Sequence, residues 1–224
     1  MKKPFDLSDP YWDSLSAQHR ALYDLVRPMP TAAYTADWRI SMLETTLERM
    51  AEEQRQAGGT FELEPDFQRG HVWTEQQRVA FIESLLRKTA PNRILFNCPG
   101  WSRSTASAGA GGDIAEHTFQ CVDGLQRLTA VRKFMAGEFG VFGGLGAQDL
   151  KGSPFDLGRY RLQMAVYEFH NRADLLNFYL HLNEGGTPHG PEELARVRQL
   201  LMLGGNRNGP ASRKLNHGEA HAEN

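Results

Sequence analysis

The stretch FQCVDGLQRLTAV, residues 119–131, constrains the fold of this chain more than any other. It begins as a β-strand, stops at Asp123-Gly124, and resumes as an amphipathic helix that closes at Gly137. A strand that turns directly into a helix carries the chain from a sheet into a covering layer, which is the signature of an α/β domain. The first turn of that helix also carries Gln126 and Arg127, polar groups at the mouth of a hydrophobic element.

The flanking pattern extends this reading. Strands are expected near residues 61–64, 93–98, 117–122 and 160–168, and helices near 41–57, 74–88, 124–136, 172–183 and 191–203. Thr74 with Gln77 three residues on predicts a capping box at the start of the second of these helices. The periodicity therefore places one compact α/β domain at residues 40–203. Residues 1–39 form an N-terminal helical extension, with a helix at 11–26 that ends at the prolines of RPMP. From position 204 the sequence lacks an apolar face, so 204–224 is expected to be a disordered tail. The Ser/Gly/Ala tract PGWSRSTASAGAGGD is a solvated hairpin tip or a mobile flap.

Charge limits the functions available. Lys and Arg total 25 against 27 Asp and Glu, a net charge of -2, so a protein that coats nucleic acid is excluded and any DNA contact is local. No apolar run reaches membrane-spanning length, and MKKPFDLSDPYW lacks the core of a signal peptide, so the expected location is the cytoplasm, with no membrane partner. In a reducing compartment Cys98 and Cys121 are small buried thiols. There is no phosphate loop of the usual spelling; GAGGD lacks the lysine and the helix, HGEAH sits in the tail, and FHNR has no further ligands at metal spacing.

Two polar stretches remain. EPDFQRGHVWTEQQR crowds Asp66, Gln68, Arg69, His71 and Trp73 into the connection between a strand and a helix. In VDGLQR, Asp123 is a good N-cap and Gln126 can close a capping box, which would make both residues structural. Arg127 has no such explanation, because a cation in the first turn is unfavourable unless an anion lies beside it. Helix N-termini bind phosphates and arginine adds bidentate donors, so phosphate or nucleotide binding stands level with plain capping on these grounds.

ELEPDFQRGHVWTEQQRVAFIESLLRK, followed by a strand, a loop and FQCVDGLQRLTAVRKFMAGEF, resembles the N-terminal domain of the GmrS/GmrD type of modification-dependent restriction proteins. A third block, YEFHNRADLLNFYLHLNEGGTPHGPEELARVRQLL, resembles that family's F-x-x-L-N-x-G-G-x-P element. The resemblance implies a ParB/sulfiredoxin-like α+β fold, a small mixed sheet packed by helices. It also implies a nucleotide-binding domain, in several members an NTPase, whose turnover serves the recognition or cutting of foreign or modified DNA. Asp123, Gly124, Gln126 and Arg127 match the D-G-Q-Q-R signature, with Leu125 in place of its first Gln; Gln68 and Arg69 match the first block, and Asn183, Gly185 and Gly186 the third.

The expected ligand is thus a nucleoside triphosphate with Mg2+. Gly124, Arg127, Arg69, Asn183, Gly185 and Gly186 would bind the nucleotide, Gln68 or Gln126 would orient an attacking water, and Asp123 would hold the metal or that water. Family members often carry a C-terminal nuclease or helical effector, which is not evident here, so a separate effector protein or a homo-oligomer is the expected partner. Two other readings stay open: a DNA-binding protein or nuclease in which Arg69, Arg78, Arg127, Arg132 and Lys133 line a phosphodiester groove, and a non-catalytic adaptor or inhibitor.

Overall fold

The computed structural model describes residues 7–26, 28–68, 73–102, 112–184 and 191–205. In chain order these form α1 (Asp9–Ser14), α2 (Ala17–Val26), β1 (Tyr34–Arg39), α3 (Leu43–Gln56), β2 (Thr60–Glu62), α4 (Glu75–Leu86), β3 (Arg93–Asn97), β4 (Thr118–Asp123), α5 (Leu125–Met135), α6 (Ala147–Leu150), β5 (Arg161–Tyr167), α7 (Arg172–Glu184) and α8 (Pro191–Gly205). Short 3₁₀ turns at Ile40–Met42 and Leu157–Arg159 complete the set.

The five strands make one mixed sheet in the order β1-β5-β3-β4-β2. β1 and β5 are antiparallel, β5 and β3 parallel, β3 and β4 antiparallel, and β4 and β2 parallel. Alternation of side chains divides the core into two layers. Ile94, Phe96, Phe119, Cys121, Leu162 and Met164 face one way and pack against α3, α4 and α5. Leu95, Val122, Ala165 and Tyr167 face the other and meet α7 and α8. The result is an α+β sandwich with the sheet in the middle. Phe96 and Phe119 are fully buried with ring centroids 4.7 Å apart, and truncating either to Ala would cost about 3–5 kcal/mol.

The helices and strands expected from periodicity are present close to their predicted ends, and α4 opens on the Thr74–Gln77 capping box. Three features differ. The helix expected at 11–26 is broken at Leu15, whose extended backbone (ψ 139°) separates α1 from α2; Trp12 then packs edge-on against Tyr23 at 5.6 Å, with the Arg20 guanidinium over its ring. The FGVF stretch, residues 139–142, whose Phe and Val would suit an extended piece, makes only a single bridge, between Val141 and Leu145. The sheet gains β1, from residues N-terminal to position 40, because Tyr34–Arg39 pairs along the whole of β5. The tail 206–224 and most of the Ser/Gly/Ala tract lie outside the described residues.

Candidate functional site

The strand-to-helix turn at the end of β4 depends on one glycine. Gly124 has φ +99°, and a Cβ there would sit 2.7 Å from Ile94 Cδ1 and 3.2 Å from its Cα. Only glycine adopts this left-handed turn without strain while lying against the neighbouring strand. Gly124 is also the N-cap of α5, accepting the first helical hydrogen bond from the Leu128 amide at 2.9 Å, and no side chain caps the helix.

This corrects the capping-box reading of Asp123 and Gln126. Asp123 is the last residue of β4, one position too early to cap, and its carboxylate accepts a hydrogen bond from Arg127 Nη2 in an i,i+4 ion pair. The anion that makes Arg127 tolerable in the first turn is therefore supplied by its own strand. Gln126 turns to the first polar block, where its Oε1 accepts from the Trp73 amide at 3.1 Å. Arg78 Nη1 donates to the Trp73 carbonyl at 2.5 Å, so the backbone of Trp73 is held from both sides.

The first block reaches β4 as well. Gln68 is buried and its Nε2 donates to the Cys121 carbonyl at 2.6 Å. Next to it, Phe67 is fully buried and meets Tyr179 of α7 edge-on at 5.5 Å, while Asp66 takes a bidentate contact from Arg172 Nη2 at 2.6 and 2.7 Å. Gln68 and Gln126 thus tie the first block to the end of β4 and the turn that follows it, and Asp66 and Phe67 tie it to α7.

Two guanidinium nitrogens stand out at this junction. Arg78 Nε and Arg127 Nε are buried and have no hydrogen-bond partner among the described residues. The Arg127 side chain is 19% exposed and Asp123 36% exposed, so the pair is open to solvent on the carboxylate side. Cys121, behind Gln68, is held as a thiol: burial above all, with a smaller push from Asp123, raises it to about 12 against the lowering effects of Gln68 and Arg127.

The other expected site residues are placed as follows. Asn183 is buried at the end of α7 and donates to the Tyr179 carbonyl at 2.6 Å, a bond internal to its helix. Arg69, Gly185 and Gly186 lie outside the described residues. Arg132 and Lys133 belong to the last turn of α5, where they pair with Glu44 and Glu138. Five residues of helix rotate a side chain by about 140°, so Arg132 and Arg127 look away from one another. Ile40, Glu44, Arg132, Lys133 and Glu138 instead line a separate groove of about 590 Å³. Among the described residues no three His, Cys, Asp or Glu side chains cluster as metal ligands, and no helix is long and apolar enough to cross a membrane.

Sequence reasoning missed the Trp73 backbone as the shared partner of Gln126 and Arg78. The available signal was the Asp-Gly dipeptide: a left-handed Gly124 makes itself the cap and frees Gln126 to reach elsewhere.

The model of the GmrSD restriction endonuclease N-terminal domain family matches residues 47–158, which span Asp66–Gln68, Trp73, Arg78 and Asp123–Arg127 and stop short of Asn183. No curated protein and no solved structure matches the chain. With half of its length matched and the first two polar blocks joined in one junction, the chain belongs to the GmrSD restriction endonuclease N-terminal domain family.

Proposed function

We propose that this domain is ParB/sulfiredoxin-like in fold, binds a nucleoside triphosphate where β4, α5 and the Gln68–Trp73 connection meet, and hydrolyses it in the service of DNA restriction. The observation that carries this reading is the pair of buried, unpartnered nitrogens, Arg78 Nε and Arg127 Nε. A buried donor without an acceptor costs about 1–3 kcal/mol, and phosphate oxygens are acceptors matched to guanidinium groups. The α5 N-terminus, with no side-chain cap, offers its first amides to the same anion.

In this reading Asp123 holds Arg127 until a phosphate competes for it. The phosphate then takes the guanidinium, and the partly exposed carboxylate is released; Arg69 would add a second guanidinium to the phosphate. Mg2+ is commonly bound by one or two carboxylates with water and phosphate oxygens, which fits the lone Asp123; when bound it would neutralise charge on the phosphates. Gln68 or Gln126 would orient the attacking water, whose oxygen bonds to the terminal phosphorus as the bond to the bridging oxygen breaks. Gly124 would let the backbone approach the ligand, and the resemblance adds Asn183, Gly185 and Gly186 as nucleotide-binding residues.

Asp123→Asn tests the reading. It removes the charge but keeps the shape, and the pair it breaks is partly solvated, so stability should change by less than about 1 kcal/mol. Nucleotide turnover should fall by about 100-fold or more. A folded Asn variant with unchanged turnover would restrict Asp123 to holding Arg127.

A further inference from the structure

The sheet has an open edge. β1 is its first strand, paired with β5 on one side and with no strand on the other among the described residues. Its register with β5 continues into the 3₁₀ turn, where the Ile40 amide donates to the Tyr160 carbonyl at 3.0 Å. In an antiparallel ladder such paired positions alternate, so Tyr34, Ala36 and Trp38 direct their backbone groups toward β5. Thr35, Asp37 and Arg39 therefore direct theirs outward, and all three residues are exposed.

Exposed edges are usually guarded by charge. Here the two charges are opposite in sign and two positions apart, which makes the strand complementary to itself. Two copies of β1 can pair antiparallel through their outward groups in a register that sets Asp37 of each opposite Arg39 of the other. The same register sets the two Trp38 side chains opposite one another on the other face, in the closer of the two antiparallel spacings. Shifting by two residues, so that Asp37 faces its own copy, brings like charges together.

We propose that this domain associates with a second copy of itself through β1, joining the two five-stranded sheets across a twofold axis at Trp38. Opposite charges at Asp37 and Arg39 select the second copy and fix the register.

The backbone supplies a clean way to break the contact. Arg39 has φ -67°, the value proline imposes, and its amide points away from β5. Arg39→Pro should leave the domain folded while removing an outward donor and the charge. By sedimentation velocity on the full chain, the wild type should reach twice the mass of one 25.2 kDa chain as concentration rises toward roughly 0.1 mM. Arg39→Pro should stay monomeric. Asp37→Arg alone and Arg39→Asp alone should also be monomeric, since each places like charges opposite one another, whereas an equimolar mixture of these two variants should dimerise. A wild type that stays monomeric throughout this range would overturn the proposal. So would a dimer that survives Arg39→Pro and both single reversals, since it would then form through another surface; and so would a mixture of the two reversals that fails to associate.

Discussion

Helix α5 carries an arginine–carboxylate pair at each end, and the two are built differently. At its last turn Arg132 uses both arms on Glu44, Nε at 2.7 Å and Nη2 at 2.8 Å, with both side chains about half exposed. At its first turn Arg127 gives Nη2 to Asp123 and leaves Nε buried and unpartnered. The first arrangement is complete in itself and lies in solvent, where such pairs contribute about 0–1 kcal/mol. The second leaves one buried donor over, at a point where two polar blocks separated in sequence converge. The chemistry of the residues is the same at both ends; what distinguishes the two pairs is the donor left over at Arg127.

The largest difference between the two ends should appear in the glycines that bound the helix. Gly124 and Gly137 are both left-handed, at φ +99° and +79°, but a Cβ at Gly137 meets nothing within 4 Å. Gly137→Ala should cost about 1 kcal/mol, from backbone strain alone. Gly124→Ala adds a collision with Ile94 to that strain and should cost about 2–4 kcal/mol in denaturant unfolding. Equal losses at the two positions would mean that the turn is not set by close packing on β3. The smallest effect is expected at the far pair: Arg132→Ala should lower stability by less than about 1 kcal/mol and leave nucleotide binding where it was.

Much of the fold was legible because its elements are local. The Val79, Ile82 and Leu86 spacing, the Thr74 capping box and the Asp-Gly stop in VDGLQR each identify an element from neighbouring residues alone. β1 was not legible in this way. Tyr34–Arg39 contains Ala and Asp, which are poor strand formers, and it is a strand because β5, more than 120 residues on, supplies its hydrogen bonds. The site divides along the same line. Arg127 could be singled out from its place in the first turn, whereas the links from Gln126 to Trp73 and from Gln68 to Cys121 each cross 53 residues of sequence and arise only from packing.

The claim that the first turn of α5 is a phosphate site is tested most directly by calorimetric titration of nucleoside triphosphates with Mg2+ into the wild type, Arg127→Ala and Arg132→Ala. Arg127→Ala should remain folded, because the ion pair it loses is partly exposed. We predict saturable binding of a nucleotide to the wild type, unchanged affinity in Arg132→Ala, and an affinity lower by about 1.5–3 kcal/mol in Arg127→Ala, the scale of a lost charge-assisted hydrogen bond. Equal affinity in all three proteins, or no nucleotide bound by the folded wild type, would contradict the account.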